Sequence, residues 1–192
     1  TGFPTPTSGI AASAIDSGTI ATARLGSGTA SSSTFLRGDQ TYAAAGGDMT
    51  PAFSVVKTNN QSISNNTNTL VTFQTEILDS NGAFASNRFT VPGGTADAKY
   101  FIFAQTYHNS GNSSDMKIAT LNLFVNNSRQ AMSVFDARSN QPRGVGMTIS
   151  KILALSASDY VEVFAQMDTD DGSMTIDGGD SQTTFGGFKI IV

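Results

Sequence analysis

The chain has 192 residues, 39% hydrophobic and only 14% charged, with Lys+Arg 11 against Asp+Glu 15 and a formal charge of -4. That length supports one ordinary core plus an appendage, and the acidic balance removes the long-range attraction that gathers nucleic acid or anionic membrane. With no cysteine and a single histidine, disulfides, thiol nucleophiles and most transition-metal sites are excluded, and no apolar run approaches the roughly 18 residues of a membrane span.

Residues 1–50 carry few charges (Asp16, Arg24, Arg37, Asp39, Asp48) and are mostly Gly, Ala, Ser and Thr, too little apolar surface to close a core. Yet Ile10, Ile15, Ile20 and Leu25 recur at five-residue intervals, followed by Phe35-Leu36. Such spaced anchors predict an extended stem that wraps two further copies of itself around a threefold axis, hiding side chains that one chain leaves wet. A tail draped over its own domain is the alternative. The chain begins Thr1-Gly2-Phe3-Pro4, which is no signal peptide, and the missing Met suggests processing from a longer product.

Ala43 to Gly47 is a small-residue hinge, and from Pro51 the pattern turns dense in β-branched and aromatic residues, so a second domain is predicted over 51–192. Strands are predicted at 52–57, 69–74, 88–91, 99–107, 117–125, 130–135, 146–155, 159–166 and 184–192. Turn signals between them include Asn59-Asn60, Asn65-Asn66, Ser80-Asn81-Gly82, Pro92-Gly93-Gly94 and Asn126-Asn127. Many short strands without helices between them mean an all-β antiparallel sandwich. Within 117–125, Ala119, Leu121, Leu123 and Val125 share one face, while Ile118, Thr120, Asn122 and Phe124 share the other. In 99–103 and 160–164 large apolar residues occupy both faces. Phe101, Phe103, Tyr160 and Phe164 are therefore predicted at a subunit interface together with Ile10, Ile15, Ile20 and Leu25; self-coverage by loops is the alternative.

Phe73, Asp79, Phe84 and Phe89, followed by Tyr100-Phe101-Ile102-Phe103, resemble the signature of the complement globular-head family, whose fold is also that of tumour necrosis factor. Ser158 to Val163 is similar to that family's penultimate strand and Thr184 to Ile191 to its closing strand. Four residues separate Phe84 from Phe89 where six are usual, and Ala98 stands where Gly is common. The resemblance implies a ten-stranded jelly roll in a tight homotrimer, with loops at the far end free to bind. Leu25 to Tyr42, preceded by Asp16 to Ile20, resembles a segment of tail fibres of bacterial viruses, with Gln40 and Tyr42 in place of the usual Gly and Trp.

Asp168, Asp170, Asp171, Asp177 and Asp180 fall within thirteen residues, in what reads as a loop. Hard oxygen ligands on a turn suit calcium, although the helix-loop-helix calcium pattern fails for want of a terminal Glu; a solvated acidic loop is the other reading. His108 reads as a loop residue just beyond a strand, and no nucleophile elbow accompanies it. Glu76 and Glu162 lie in predicted strands and form no evident acid/base pair. Recognition suits the loops better, since Asn, Ser, Gly and isolated aromatics offer neutral hydrogen bonds and flat stacking surfaces. Candidate contacts are Tyr107, His108, Asn109, Asn112, Arg138 and Arg143, for host surface polysaccharide or envelope protein. The sequence thus predicts a non-enzymatic, homotrimeric virion protein of a tailed bacteriophage, needing no cofactor, with a tail-fibre tip joined to other virion proteins by its N-terminal segment. A capsid decoration protein and a polysaccharide-degrading spike are the alternatives.

Overall fold

The structure is a computed structural model that describes residues 21–44, 49–95, 97–111, 114–172, 174–179 and 181–191. The chain divides into two units, Thr1–Gly47 and Asp48–Val192. In the first, a 3-10 turn at Thr22–Arg24 precedes a hairpin of β1 (Thr34–Leu36) and β2 (Tyr42–Ala44). Asp39 builds the hairpin turn: its Oδ1 accepts from Thr41 N at 3.1 Å and Thr41 Oγ1 at 2.6 Å while Gln40 takes a φ of 61°. None of the described residues of this unit is buried, and Leu25, Phe35 and Leu36 are exposed. The predicted anchors Ile10, Ile15 and Ile20 lie outside the described residues.

The second unit contains β3 (Ala52–Val56), β4 (Gln61–Ser62), β5 (Thr69–Leu70), β6 (Thr75–Asp79), β7 (Phe84–Ala85), β8 (Arg88–Thr90) and β9 (Ala98–Asn109). It continues with β10 (Met116–Val125), β11 (Ser128–Asp136), β12 (Gly144–Leu155), β13 (Tyr160–Thr169), β14 (Thr175–Ile176) and β15 (Thr184–Lys189). One sheet runs β11-β10-β13-β8-β7 with β5 also on β13; the other runs β4-β14-β9-β15-β3-β6 with β12 also on β9. This is the predicted all-β antiparallel sandwich. Among the described residues the second unit has thirteen strand segments rather than ten, because β4, β5, β7 and β14 are pieces of two residues.

Local chemistry explains the chain reversals. Asn126 and Asn127, with φ of 49° and 63°, form the two-residue turn between β10 and β11, and Ser86 and Asn87, at 53° and 63°, do the same between β7 and β8. Both central residues are left-handed, which matches the twist of the flanking strands. Inside the sandwich, the sequence signature becomes an aromatic nest. Phe53 stacks on Phe89 at 4.6 Å and meets Phe185 edge-on at 4.8 Å, and Phe73 lies 5.6 Å from Phe185. Asp79 supports this nest from the side: Oδ1 accepts from Ala83 N at 2.8 Å and Oδ2 from Phe84 N at 3.0 Å, fixing the turn that delivers Phe84.

Candidate functional site

Three regions bear on function: the outer faces of the two sheets, and the end of the sandwich where β9 and β13 stop and β12 begins. On the seven-stranded sheet, Tyr100, Ile102 and Ala104 of β9 point into the core, so Phe101 and Phe103 point out. Register places Ile152, Phe101, Phe188 and Ala52 in one row, and Ser150, Phe103, Gly186, Ser54 and Leu78 in the next. Phe101 lies 6.2 Å from Phe103 and 5.7 Å from Phe188, and Ile152 and Leu78 are exposed. Gly186 permits this layout: a Cβ there would meet Phe103 Cζ at 2.5 Å, so the ring lies flat across the bare backbone. Beside it, a hollow of about 430 Å³ opens between Phe101, Phe103, Gln105, Ile149 and Thr184.

The other two predicted interface aromatics lie on the opposite side of the molecule. Val161, Val163 and Ala165 of β13 face the core, which turns Tyr160 and Phe164 to the outer face of the six-stranded sheet. Phe164 pairs across with Asn122 and lies 4.8 Å from Phe124, ring to ring. Phe101 with Phe103, and Tyr160 with Phe164, therefore do not form one patch. Leu25 is exposed within the N-terminal unit.

At the strand ends, the histidine prediction is corrected. His108 is not on a loop: β9 continues through Asn109, and the imidazole is fully buried between the sheets. Its Nε2 lies 3.2 Å from the Thr120 carbonyl of β10, which makes it the donor and leaves Nδ1 to accept from Thr106 Oγ1 at 3.4 Å. Burial pushes this imidazole from 6.5 down to about 4, with the Thr120 carbonyl pulling weakly upward. It cannot touch a ligand without the sandwich opening. Tyr107 and Asn109 are strand residues too, half-buried. Asn109 is already engaged, donating from Nδ2 to Asp177 Oδ2 at 2.7 Å and accepting at Oδ1 from Gly111 N at 2.9 Å. Arg143 Nε donates to the Gly111 carbonyl at 2.5 Å, and Arg138 makes a forked ion pair with Asp136, Nε to Oδ1 at 2.9 Å. Both arginines stay exposed, at opposite ends of the one loop that joins β11 to β12. Asn112 lies outside the described residues.

The acidic residues do not gather as a loop cluster. Asp168 belongs to β13, and Asp170 pairs with Lys117 and accepts from Gln141 Nε2 at 3.0 Å. The Lys117 hydrogen bond holds the Asp170 carboxyl below the ordinary range. Asp171 N donates to Asp115 Oδ2 at 3.0 Å, while Asp177 is buried and accepts from Asn109 and, at 2.6 Å, from Thr175 Oγ1. Among the described residues, no three His, Asp or Glu side chains are placed to hold a metal ion. Asp180 lies outside those residues.

Sequence reasoning missed the two charged side chains that are most deeply buried among the described residues, Lys57 and Glu162. Lys57 is 1% exposed; its Nζ donates to Gln61 Oε1 at 3.1 Å and to the Thr72 carbonyl and hydroxyl, each at 2.9 Å. Burial among neutral acceptors lowers its ammonium from 10.5 to about 8. Glu162, 3% exposed, binds Arg88 Nη2 at 2.8 Å, and the Arg88 guanidinium lies 4.3 Å over the Tyr160 ring. In the sequence both look like ordinary strand charges, and only their partners reveal them, Gln61 and Thr72 for Lys57 and Arg88 on the neighbouring strand for Glu162.

This geometry agrees with the comparisons to known proteins. The solved globular domain of zebrafish complement 1qA protein is similar at 18% identity, over 73% of this chain and 97% of that one, with a TM-score of 0.49; a likeness so distant carries no argument. No curated protein matches the sequence. The C1q domain profile matches residues 52–190, well over half of the sequence. With that match, and the two-sheet sandwich around the Phe73, Asp79, Phe84 and Phe89 signature, the chain belongs to the C1q domain family, a tumour necrosis factor-like jelly roll used for binding and structure rather than catalysis.

Proposed function

We propose that this chain is a homotrimeric, non-enzymatic structural protein of a tailed bacteriophage virion. Residues 51–192 form the tail-fibre tip that meets the host cell surface, and residues 1–50 form the stem that joins it to other virion proteins. The observation that carries the reading is the row of Ile152, Phe101 and Phe188, with Phe103 beside it, on the outer face of the seven-stranded sheet. An apolar face of that extent is costly in water and is relieved when copies pack around an axis, the assembly typical of C1q domains. The N-terminal hairpin argues the same way, since it buries none of its described side chains and needs neighbours to become a stem.

The viral context rests on the likeness of residues 16–42 to tail-fibre segments. Three identical tips on one axis add avidity to weak single contacts with polysaccharide or envelope protein. No cofactor enters this reading. Two experiments test it. Light scattering of the full chain should give three times the 20.0 kDa chain mass, and a result at one times that mass refutes the trimer. Antibody labelling of virus particles should mark the tail tip; label on the head replaces the attachment role with capsid decoration.

A further inference from the structure

Outside the apolar row, the molecule has a second unusual surface on the outer face of the six-stranded sheet. Register sets Met132, Asn122, Phe164 and Leu70 in one row, and Phe124, Glu162 and Arg88 in the next. Alternation turns all of these away from the core, yet Asn122 is only 2% exposed. The half-buried rings of Phe124 and Phe164 sit beside it, 4.8 Å apart and inclined at 53°. A polar residue on an outer face normally meets water; here it lies between the aromatic rings and Asn68, whose Oδ1 accepts from Asn122 Nδ2 at 3.4 Å.

Two polar atoms on this face have no partner. Asn122 Nδ2 donates to Thr120 Oγ1 at 3.0 Å, but Asn122 Oδ1 accepts nothing; Arg88 Nη2 donates to Glu162, but Arg88 Nε donates to nothing. Of four such buried side-chain atoms among the described residues, two share this one surface. Buried polar atoms are ordinarily paired, so an orphan acceptor and an orphan donor flanking a pair of rings form a gap that a ligand can complete.

We propose that this face is a binding site for a neutral sugar ring of a surface glycan. The C–H faces of a pyranose stack on Phe124 and Phe164, and its hydroxyl groups, each both donor and acceptor, supply what Asn122 Oδ1 and Arg88 Nε lack. Arg88 and Glu162 cancel each other's charge, so a neutral ligand is favoured over a phosphate or an ionic peptide. Access requires only side-chain rotation at the surface, since Met132, opposite Asn122, is exposed and the Arg88 side chain is 39% exposed. This inference deepens the attachment reading by naming the ligand class, and it rests on that reading for its biological setting.

The test uses the full chain. Saturation-transfer NMR is recorded with glucose, galactose and N-acetylglucosamine, each as monomer and trimer, with glucose 6-phosphate and a mixed peptide as charged and polypeptide probes. Fluorescent protein is applied in parallel to a panel of bacterial strains. Transfer from aromatic protons to at least one neutral sugar is expected, with affinity at least about tenfold weaker in the Phe124→Leu/Phe164→Leu variant, which keeps bulk but removes the rings. If that variant does not fold, Arg88→Lys keeps the ion pair, deletes Nε and should weaken binding about threefold. No transfer to any neutral sugar, transfer unchanged in the folded variants, or binding confined to the peptide or phosphate probe overturns the proposal. If the wild type decorates bacterial cells while the folded variants do so equally well, the sugar site fails and the attachment role survives. Sugar binding with no cell binding is the converse: the site stands and the attachment reading fails.

Discussion

Phe101 and Phe103 on one outer face of the sandwich, and Phe124 and Phe164 on the other, arise from the same strand alternation, but they cover different things. The first pair has apolar or small neighbours, Ile152 and Phe188 beside Phe101 and Ser150 and Gly186 beside Phe103, with Gly186 leaving Phe103 flat on backbone. The second pair stands among an amide and a buried ion pair, Asn122 and Arg88–Glu162. A face of the first kind gains most from another apolar surface. One of the second kind has hydrogen bonds still to make. Periodicity reports that a side chain points outward; its cross-strand neighbours decide what that surface is for.

Arg88→Ala should sharpen the contrast most. It leaves Glu162 buried and unpaired, and the loss of unfolding free energy in denaturant titration should be about 3 kcal/mol, at the low end for a broken buried pair because Arg88 is partly exposed. Phe101→Ala on the other face should cost the subunit about 1 kcal/mol or less and instead shift the light-scattering mass toward 20.0 kDa. The reverse ranking would break the comparison.

The seam between the sheets should respond to acid through His108. Its folded-state value of about 4 lies below the ordinary 6.5, so in between the unfolded chain takes up a proton that the folded chain refuses. Stability from this group is complete above pH 6.5 and is lost as pH falls to 4, about 3 kcal/mol in all. Melting curves of His108→Leu should lack that slope. Lys57 works at the alkaline end. Its value of about 8 against 10.5 means the folded chain sheds a proton that the unfolded chain keeps, so this group adds stability as pH rises from 8 towards 10.5. A rise of up to about 3 kcal/mol, absent in Lys57→Met, is expected in denaturant titrations across that window. Smallest of all, Phe35→Ser in the N-terminal hairpin should move the domain's melting temperature by less than about one degree, as expected for an exposed side chain outside the core.

Much of the architecture was legible from alternation. Each of the nine predicted strands has a counterpart, because long strands such as 117–125 repeat apolar and polar residues with period two. The short pieces were not: two residues such as Gln61-Ser62 carry no period. At β9 the inward set Tyr100, Ile102, Ala104 continues through Thr106 and His108, and the change from apolar to polar hid a strand that does not stop. The candidate contacts fared unevenly for a similar reason. Sequence spacing brought the aspartates together, but their partners, Lys117 for Asp170 and Asn109 for Asp177, lie dozens of residues away. The orphan atoms of Asn122 and Arg88 leave no trace in the sequence, because each depends on what three strands fail to supply.

The place of β15 has a consequence for how the polypeptide is made. Residues 184–189 lie between β3, from the start of the domain, and β9, from its middle. A nascent chain on the ribosome therefore holds β3 and β9 with a slot between them until its closing segment emerges. Throughout synthesis, Phe53 lacks the edge of Phe185. Truncation before residue 184 would split the sheet down the middle rather than trim its rim, leaving two halves with unsatisfied backbone and a strong tendency to join other chains.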